Sequence, residues 1–321
     1  MLAPQNAVEG YEVLMKIFNT LQNVPPDLKG AVITIGNFDG VHIGHRQIFE
    51  KVIADARRLG GPAVVMTFEP HPKQVLHPER RPFYLITTPT EKLRLIEASG
   101  VDAVWLVPFS LDFAARTATS FVEDILIGGL AIRKVTIGHD YTFGRGREGN
   151  EAFLKAMGRK RGFEVDVVNA FKIGETIISS TAIREAILAG EVSQAAAMLG
   201  RPYNLAGRVV VGHRRGAGLG FPTANLEPEK VLVPARGVYA VRARVSGGSY
   251  AGVLNIGENP TFGDRRRSIE VHLLNFAGDI YGEPLEVQFI ERLRGEVKFD
   301  GPDALVAQIR GDIDRARQIL E

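Results

Sequence analysis

The chain has 321 residues, no cysteine and a formal net charge of +2, and 45% of its residues are hydrophobic. The length allows two domains of ordinary size, the missing cysteines exclude disulfides, cysteine–zinc sites and thiol catalysis, and the small net charge gives no reason to expect a nucleic acid partner. No apolar run approaches the roughly 18 residues that span a membrane, and residues 1–11 lack the pattern of a signal peptide, so we expect a cytoplasmic enzyme without a membrane partner.

Apolar strands alternate with helical segments through the first half of the chain. The predicted strands are residues 32–35, 63–67, 103–107, 134–138 and 164–168. The predicted helices are residues 47–59, 90–98, 120–127 and 151–160. This alternation is typical of an α/β domain with a doubly wound parallel sheet. Ligands bind such sheets at the carboxyl ends of the strands, so we expect the first site in the segments that follow them.

The segment between the first strand and the first helix, residues 36–46, is Gly-Asn-Phe-Asp-Gly-Val-His-Ile-Gly-His-Arg. A junction of this kind offers backbone N–H groups and the positive end of a helix dipole, which favour phosphate. His42 and His45 lie three residues apart at the helix start, so they share one side and can donate to the same phosphate group. A structural loop or a metal site is the alternative, but no nearby side chain completes a set of metal ligands.

The H-x-G-H pattern of this segment resembles the signature of the nucleotidyltransferase superfamily. Those enzymes transfer a nucleotidyl group from a nucleoside triphosphate and release pyrophosphate. The other residues of the segment that we expect to bind the nucleotide are Gly36, Asn37, Phe38, Asp39 and Gly44.

Three later segments fit the same interpretation. Residues 67–72, Thr-Phe-Glu-Pro-His-Pro, bring a carboxylate and an imidazole to the end of one strand, and residues 138–144 bring a second carboxylate to the end of another. Residues 179–184, Ser-Ser-Thr-Ala-Ile-Arg, begin a helix with hydroxyls and a guanidinium that together would hold the β- and γ-phosphates. The simpler interpretations are a rigid proline-flanked loop for the first segment and an ordinary helix cap for the third.

The pattern changes after about residue 200. Short strands are predicted at residues 208–211, 238–245, 250–256, 268–275 and 285–292. Glycine and proline turns separate them, which indicates a small antiparallel barrel. A final helix carries an apolar stripe, which we expect to pack, at Leu305, Ile309, Ile313, Ala316 and Leu320. Helices at residues 184–189 and 192–199 bridge the halves, and we place the boundary near residue 190, giving domains 1–190 and 191–321.

A second candidate site lies at residues 218–226, Gly-Leu-Gly-Phe-Pro-Thr-Ala-Asn-Leu. The backbone around Gly218 and Gly220 offers N–H groups for phosphate. Thr223 and Asn225 offer two neutral oxygens for a hard cation such as Mg²⁺. Taken alone, the segment is more typical of a glycine–proline turn between two strands.

Together these segments resemble a specific family, the bacterial bifunctional riboflavin kinase/FMN adenylyltransferase, across residues 30–320. The resemblance implies an N-terminal nucleotidyltransferase domain and a C-terminal six-stranded riboflavin kinase barrel, with riboflavin, FMN, FAD and ATP as substrates and products. It implies Mg²⁺–ATP binding by Thr223 and Asn225, with Glu270 as the general base. It departs at Ala217, where the family often has arginine.

The resemblance implies further site residues in both halves. Charge stabilisation in adenylyl transfer falls to His42, His45 and Arg184. Nucleotide contacts fall to Ser179, Ser180, Thr181 and Asn255, and flavin contacts to Phe68, His71, Asp140 and Phe143. His272 alternates with Glu270 on one strand face, and we expect it either to support the residues of the site or to have a structural role.

Three other functions are open. The chain could be a nucleotidyltransferase for another phosphorylated substrate, but the second set of motifs then has no purpose. A flavin carrier without catalysis should have lost His42, Thr223 or Glu270, and all three are present. An RNA-binding barrel should interleave basic residues with exposed aromatic ones, and the barrel lacks that pattern. The oligomeric state is open as well.

Overall fold

The computed structural model describes residues 15–20, 24–212, 218, 220–258 and 267–321. Contacts divide the chain into two compact units. The first comprises Met1–Phe83 and Pro89–Ile178, and the second comprises Tyr84–Thr88 and Ser179–Glu321. The main part of the second unit begins at Ser179, earlier than the boundary predicted near residue 190, because the helix before residue 190 groups with the second unit. Among the described residues, no helix combines the length and apolar character that crossing a membrane requires.

The first unit is built on parallel strands joined by helices. Its strands are β1 (Lys16–Phe18), β2 (Val32–Ile35), β3 (Ala63–Glu69), β4 (Ala103–Pro108), β5 (Lys134–Gly138), β6 (Glu164–Val168) and a small hairpin of β7 (Lys172–Ile173) and β8 (Thr176–Ile177). Its α-helices are α1 (Ile43–Leu59), α2 (Pro72–Leu76), α3 (Pro89–Glu97), α4 (Leu111–Ala114), α5 (Ala118–Ser120), α6 (Gly128–Leu130) and α7 (Glu151–Arg161). A π-helical stretch, Phe121–Ile127, joins α5 to α6, and 3₁₀ turns form at Pro26–Leu28 and Arg145–Arg147.

Six strands of this unit form one parallel sheet in the order β1-β4-β3-β2-β5-β6. All four residues of β2 are buried, as expected of a central strand with helices on both faces. The direction of winding reverses between β2 and β5, so the loops after these two strands flank the switch point where ligands bind such sheets. The predicted doubly wound parallel sheet is confirmed.

The second unit contains a closed antiparallel barrel and, among its described residues, three helices of eight residues or more. Its strands are β9 (Tyr203–Val210), β10 (Ala224–Pro228), β11 (Gly237–Val245), β12 (Gly248–Glu258), β13 (Arg267–Leu273) and β14 (Pro284–Arg294). Its helices are α8 (Ser180–Ala189), α9 (Val192–Leu199) and α10 (Pro302–Leu320). The strands close in the order β10-β13-β12-β11-β14-β9, which confirms the six-stranded barrel.

Helix α10 packs on the barrel through the predicted apolar stripe. Ile313, Ala316 and Leu320 are buried in one cluster with Val238 and other barrel residues. A two-pronged ion pair between Arg294 and Asp312, with the shortest N–O distance at 2.8 Å, fixes α10 to β14. The stripe is therefore a packing surface.

A short segment from the first half, Tyr84–Thr88, groups with the second unit. Ile86 is buried, and its carbonyl accepts a hydrogen bond from Lys230 Nζ at 3.1 Å. Lys230 is itself 5% exposed and also donates to Asn204 Oδ1 at 3.1 Å. The sequence did not reveal this segment as part of the C-terminal unit.

Candidate active sites

The loop after β2 turns sharply and is hydrogen-bonded to β3. Phe38 has a φ of 48° and Val41 a φ of 39°, a region that side-chain-bearing residues adopt only when their surroundings enforce it. The Phe38 ring lies against Gly36, where a Cβ would approach the ring to 2.9 Å. The Gly36 N–H donates to the Met66 carbonyl at 3.1 Å. These contacts explain why the motif needs glycine before the aromatic residue.

The two motif histidines stack on each other, with ring centroids 3.4 Å apart and an interplanar angle of 21°. His42 is 6% exposed, and its Nδ1 accepts the backbone N–H of His45 at 3.3 Å, which caps the start of α1. A neutral His42 therefore carries its proton on Nε2. A side chain at Gly44 would begin 3.3 Å from the His42 ring, so glycine leaves room for the stack.

His45 is partly buried beside His42. Its Nδ1 is buried and has no hydrogen-bond partner among the described residues. The Phe38 ring meets it edge to face at 5.1 Å. Burial, and secondarily His42, lowers the pKa of His45 well below its usual value. The imidazole of His45 is therefore neutral near pH 7.

The metal alternative for these histidines gains no support. Among the residues that the structure describes, no group of three or more His, Cys, Asp or Glu side chains could hold a metal ion.

A buried lysine that the sequence analysis missed lies at the end of β3. Lys92 of α3 is 5% exposed, and its Nζ donates to the Phe68 carbonyl at 3.1 Å and to Thr67 Oγ1 at 3.4 Å. It also lies 3.9 Å from Glu69 Oε2. Burial lowers the pKa of Lys92, and Glu69 and Asp39 act in the opposite direction. The sequence did contain one signal for this burial: Lys92 precedes the buried Ile96 by four residues, so the two side chains share one helix face.

The predicted flavin contacts divide into packed and exposed residues. Phe68 and Phe143, each 8% exposed, belong to one hydrophobic cluster. His71 caps α2, since its Nδ1 accepts the Lys73 N–H at 3.1 Å, whereas Asp140 is exposed in the loop after β5. Contact of these four residues with a flavin stays a prediction.

The residues predicted to hold the β- and γ-phosphates begin helix α8 in the second unit. Ser179 Oγ accepts the Ala182 N–H at 3.1 Å and caps the helix, as the simpler interpretation required. Ser180 is half-buried and Thr181 exposed in the first turn of α8. Arg184 Nε donates to the Tyr84 carbonyl at 2.8 Å. Their phosphate contacts stay predictions.

The barrel brings three predicted site residues into one row. Glu270 of β13 pairs with Asn225 of β10 on one side and with Asn255 of β12 on the other. Directly opposed residues in antiparallel strands have Cβ atoms about 4.5–5.5 Å apart, so the three side chains are neighbours. Ile269 and Val271 are buried, whereas Glu270 is half-buried, which places Glu270 on the face opposite the barrel core.

Contacts around Thr223 and Asn225 fix the start of β10. His272 Nδ1 lies 2.8 Å from the Pro222 carbonyl, which can only accept, so this nitrogen carries the proton. The bond holds the residue before Thr223, as expected of a supporting or structural role for His272. A Cβ at Gly212 would overlap the Asn225 amide.

The glycine-rich turn before β10 is described only in part. Gly218 and Gly220 are exposed, and Gly220 has a φ of 86°, which favours glycine. Ala217, where the sequence departs from the family, lies outside the described residues, as does Leu219.

Two family models match this chain, one after the other along the sequence. Residues 24–182 match the family model described as FAD synthetase, and residues 199–320 match riboflavin kinase. A bifunctional riboflavin kinase/FMN adenylyltransferase from Haemophilus influenzae is 37% identical, over 94% of this chain and 98% of the relative. Proteins of the same name from Escherichia coli K12 and Pseudomonas fluorescens are 39% and 38% identical, over 96% and 95% of this chain and 97% and 98% of the relatives.

A crystal structure from Streptococcus pneumoniae shares the fold over nearly the whole chain. It is 35% identical with a TM-score of 0.86, and the match covers 95% of this chain and 99% of that one. It is named as a macrolide-efflux protein, whereas the two family models and the three relatives agree with one another. The chain therefore belongs to the family of bifunctional riboflavin kinase/FMN adenylyltransferases.

Proposed function

We propose that this chain phosphorylates riboflavin to FMN and then adenylylates FMN to FAD, using ATP in both steps. The observation that carries the proposal is that two family matches follow one another along the chain and each contains its own polar site. The adenylyltransferase is assigned to residues 1–190 and the kinase to residues 191–321. We place the reaction in the cytoplasm, where ATP is made.

In the kinase step, Glu270 acts as the general base. It accepts the proton of the ribityl 5′-hydroxyl while that oxygen bonds to the γ-phosphorus of ATP and the bond to the ADP oxygen breaks. The pairing of Glu270 with Asn225 and Asn255 supports this role, because it brings the base beside two amides that can bind the nucleotide. Backbone N–H groups around Gly218 and Gly220 are assigned to the phosphates.

Thr223 and Asn225 are the side chains that would hold the Mg²⁺ accompanying ATP. Their hydroxyl and amide oxygens are neutral ligands of the kind that Mg²⁺ takes together with phosphate and water. They fit this role because Gly212, lacking a Cβ, leaves the space that the Asn225 amide fills. A bound Mg²⁺ supplies neutralisation of phosphate charge.

In the adenylylation step, a phosphate oxygen of FMN bonds to the α-phosphorus of ATP and the bond to pyrophosphate breaks. No covalent enzyme intermediate and no general base are required, so positioning and charge stabilisation provide the catalysis. His42 supports this through its Nε2–H, and His45 supports it through its position stacked against His42 at the start of α1. The loop residues Gly36, Asn37, Phe38, Asp39 and Gly44 shape the nucleotide site.

Other assignments in this step rest on sequence. Ser179, Ser180, Thr181 and Arg184 are assigned to the β- and γ-phosphates of ATP, because hydroxyls and a guanidinium at a helix start suit them. Phe68, His71, Asp140 and Phe143 are assigned to the flavin.

One experiment tests the function as a whole. The purified chain is incubated with riboflavin, ATP and Mg²⁺, and the flavins are separated by chromatography. We expect FMN first and FAD later. If the protein binds riboflavin but forms neither FMN nor FAD, the result would favour a carrier without catalysis. Transfer of AMP to a different phosphorylated substrate would favour another nucleotidyltransferase.

A further inference from the structure

We propose that Lys92 is a positioning residue for adenylyl transfer, which anchors the histidine loop to β3 and offsets the charge of two carboxylates beside it. The inference rests on the proposed assignment of adenylylation to the first unit. Lys92 lies on α3, outside the four segments that the sequence motifs identify, but its side chain contacts one of them, residues 67–72.

The side chain of Lys92 is enclosed and directed at the end of one strand. Its Nζ donates to the Phe68 carbonyl at 3.1 Å and to Thr67 Oγ1 at 3.4 Å. Ligands of a parallel sheet bind at this carboxyl end. Burial of a charged lysine that is only 5% exposed has a large desolvation cost, so we expect its positive charge to have a function.

A continuous hydrogen-bonded path leads from Lys92 into the histidine loop. Thr67 Oγ1, which accepts from Lys92, donates its own proton to the Asn37 carbonyl at 3.1 Å. The next residue, Phe38, has positive φ. A loop in such a conformation keeps its shape only if contacts outside it hold it. Through Thr67, Lys92 therefore stabilises the conformation of the loop that carries His42.

The charges around Lys92 give it a second role. Asp39 is 2% exposed, and Glu69 Oε2 lies 3.9 Å from Lys92 Nζ. Both carboxylates act electrostatically on Lys92, and Asp39 and Glu69 also act on each other. Both substrates of this step, ATP and FMN, are anions. Without the positive charge of Lys92, the two carboxylates would repel these anionic substrates. Lys92 therefore lowers the electrostatic cost of binding phosphate groups at this site.

The same unit contains a matched lysine outside this environment. Lys134 is 4% exposed and pairs with Asp55 at 2.9 Å and Asp166 at 2.7 Å. It is the first residue of β5, so it lies at the amino end of the sheet, opposite the ligand-binding end. Glu164 lies 3.5 Å from the same Nζ, so Lys134→Met removes a buried ammonium with three carboxylate partners from the same sheet and serves as the control.

The test measures kcat and KM for ATP in the conversion of FMN to FAD by the full-length protein. Lys92→Met should raise KM for ATP and lower kcat/KM by about 10- to 100-fold, the range expected when reacting groups are misplaced. Lys92→Arg should recover most of the loss, and Glu69→Gln added to Lys92→Met should recover KM for ATP by removing one carboxylate. Lys134→Met should lower thermal stability and leave KM for ATP unchanged.

Two further variants keep the test decisive. Thr67→Val preserves size and breaks the path to Asn37, so it should lower kcat even if Lys92→Met does not fold. Unchanged kcat and KM in Lys92→Met, or unchanged kcat in Thr67→Val, would overturn the inference. His42→Ala is measured alongside, because loss of FAD formation there with no effect of Lys92→Met refutes only the role of Lys92. Normal FAD formation in His42→Ala refutes the proposed site itself.

Discussion

Glu270 of β13 lies directly opposite Asn225 of β10 in the barrel, and Asn255 of β12 lies on its other side. A carboxylate and two amides therefore form one polar row across three strands. The buried neighbours of Glu270 on its own strand face the opposite way, so the row is available to a ligand rather than to the core.

Glu270→Gln should block FMN formation and leave FAD formation from added FMN intact. Glutamine keeps the size of the side chain but cannot accept the hydroxyl proton, and general-base catalysis contributes about 10²–10⁴-fold. The measurement is the rate of FMN formation at saturating riboflavin and ATP. Glu227→Gln, an exposed carboxylate on β10, is the control and should have the wild-type rate. A lower melting temperature with an unchanged rate would assign Glu270 a structural role.

His42→Ala should abolish FAD formation and leave FMN formation unaffected. Removing one charge-stabilising donor costs about 10²–10³ in rate, and the imidazole also caps α1. The two rates are measured in the same preparation, so the kinase step is the internal control. His77→Ala changes a half-exposed histidine after α2 and should have no effect on either rate. A wild-type FAD rate in His42→Ala would remove this residue from the mechanism.

Gly212→Ala should impair FMN formation because the added methyl group overlaps the amide of Asn225. We expect a rise in KM for ATP of about tenfold or more, as for loss of a good hydrogen bond to a charged group. Gly311→Ala is the matched control, since a Cβ there meets nothing within 4 Å and alanine favours the helix. Equal KM values in the two variants would contradict the assigned role of Asn225.

The stability of the first unit should fall as the pH drops below about 6.5, the ordinary pKa of histidine. The folded-state pKa of His45 is depressed, so the unfolded chain takes up the proton first. The stabilisation is present above the unfolded pKa and is lost as the pH falls towards the folded pKa, by at most about 1.4 kcal/mol per pH unit. Trp105 is the one tryptophan of the chain and is buried in the first unit, so urea unfolding followed by tryptophan fluorescence reports the unfolding of this unit.

His45→Gln is the comparison for this pH dependence. It should reduce the slope between pH 7.5 and pH 5.5, because the other groups that titrate are unchanged. Identical slopes in the two proteins would show that the pKa of His45 is not depressed in the folded state.

A fragment of residues 179–321 should convert riboflavin to FMN and make no FAD. It lacks the segment Tyr84–Thr88, so Lys230 loses the Ile86 carbonyl and the fragment should melt at a lower temperature than the same unit in the full chain. A fragment of residues 191–321 also lacks α8 and tests whether the barrel needs that helix. If either fragment folds and binds riboflavin and ATP but makes no FMN, the modular assignment fails.

The elements that the sequence predicted best are those with the strongest local pattern. The strands β2, β5 and β6 were predicted at their observed bounds, because strands of a parallel sheet covered by helices form short, largely apolar runs. The final helix was recognised from its apolar stripe. By contrast, β1, the hairpin of β7 and β8, and β10 were missed. Strand β10, Ala-Asn-Leu-Glu-Pro, alternates apolar and polar residues, but it is only five residues long and contains asparagine, glutamate and proline, which are uncommon in strands.

The sequence by itself determined the fold class, the order of the two modules and the histidine pair at the start of α1, since each depends on neighbouring residues in the chain. Only the tertiary structure decided that Glu270 lies between Asn225 and Asn255, because strand register depends on pairing between distant segments. It also decided that Lys92 is buried beneath the histidine loop. Burial is a property of everything packed around a side chain, and no local pattern specifies that.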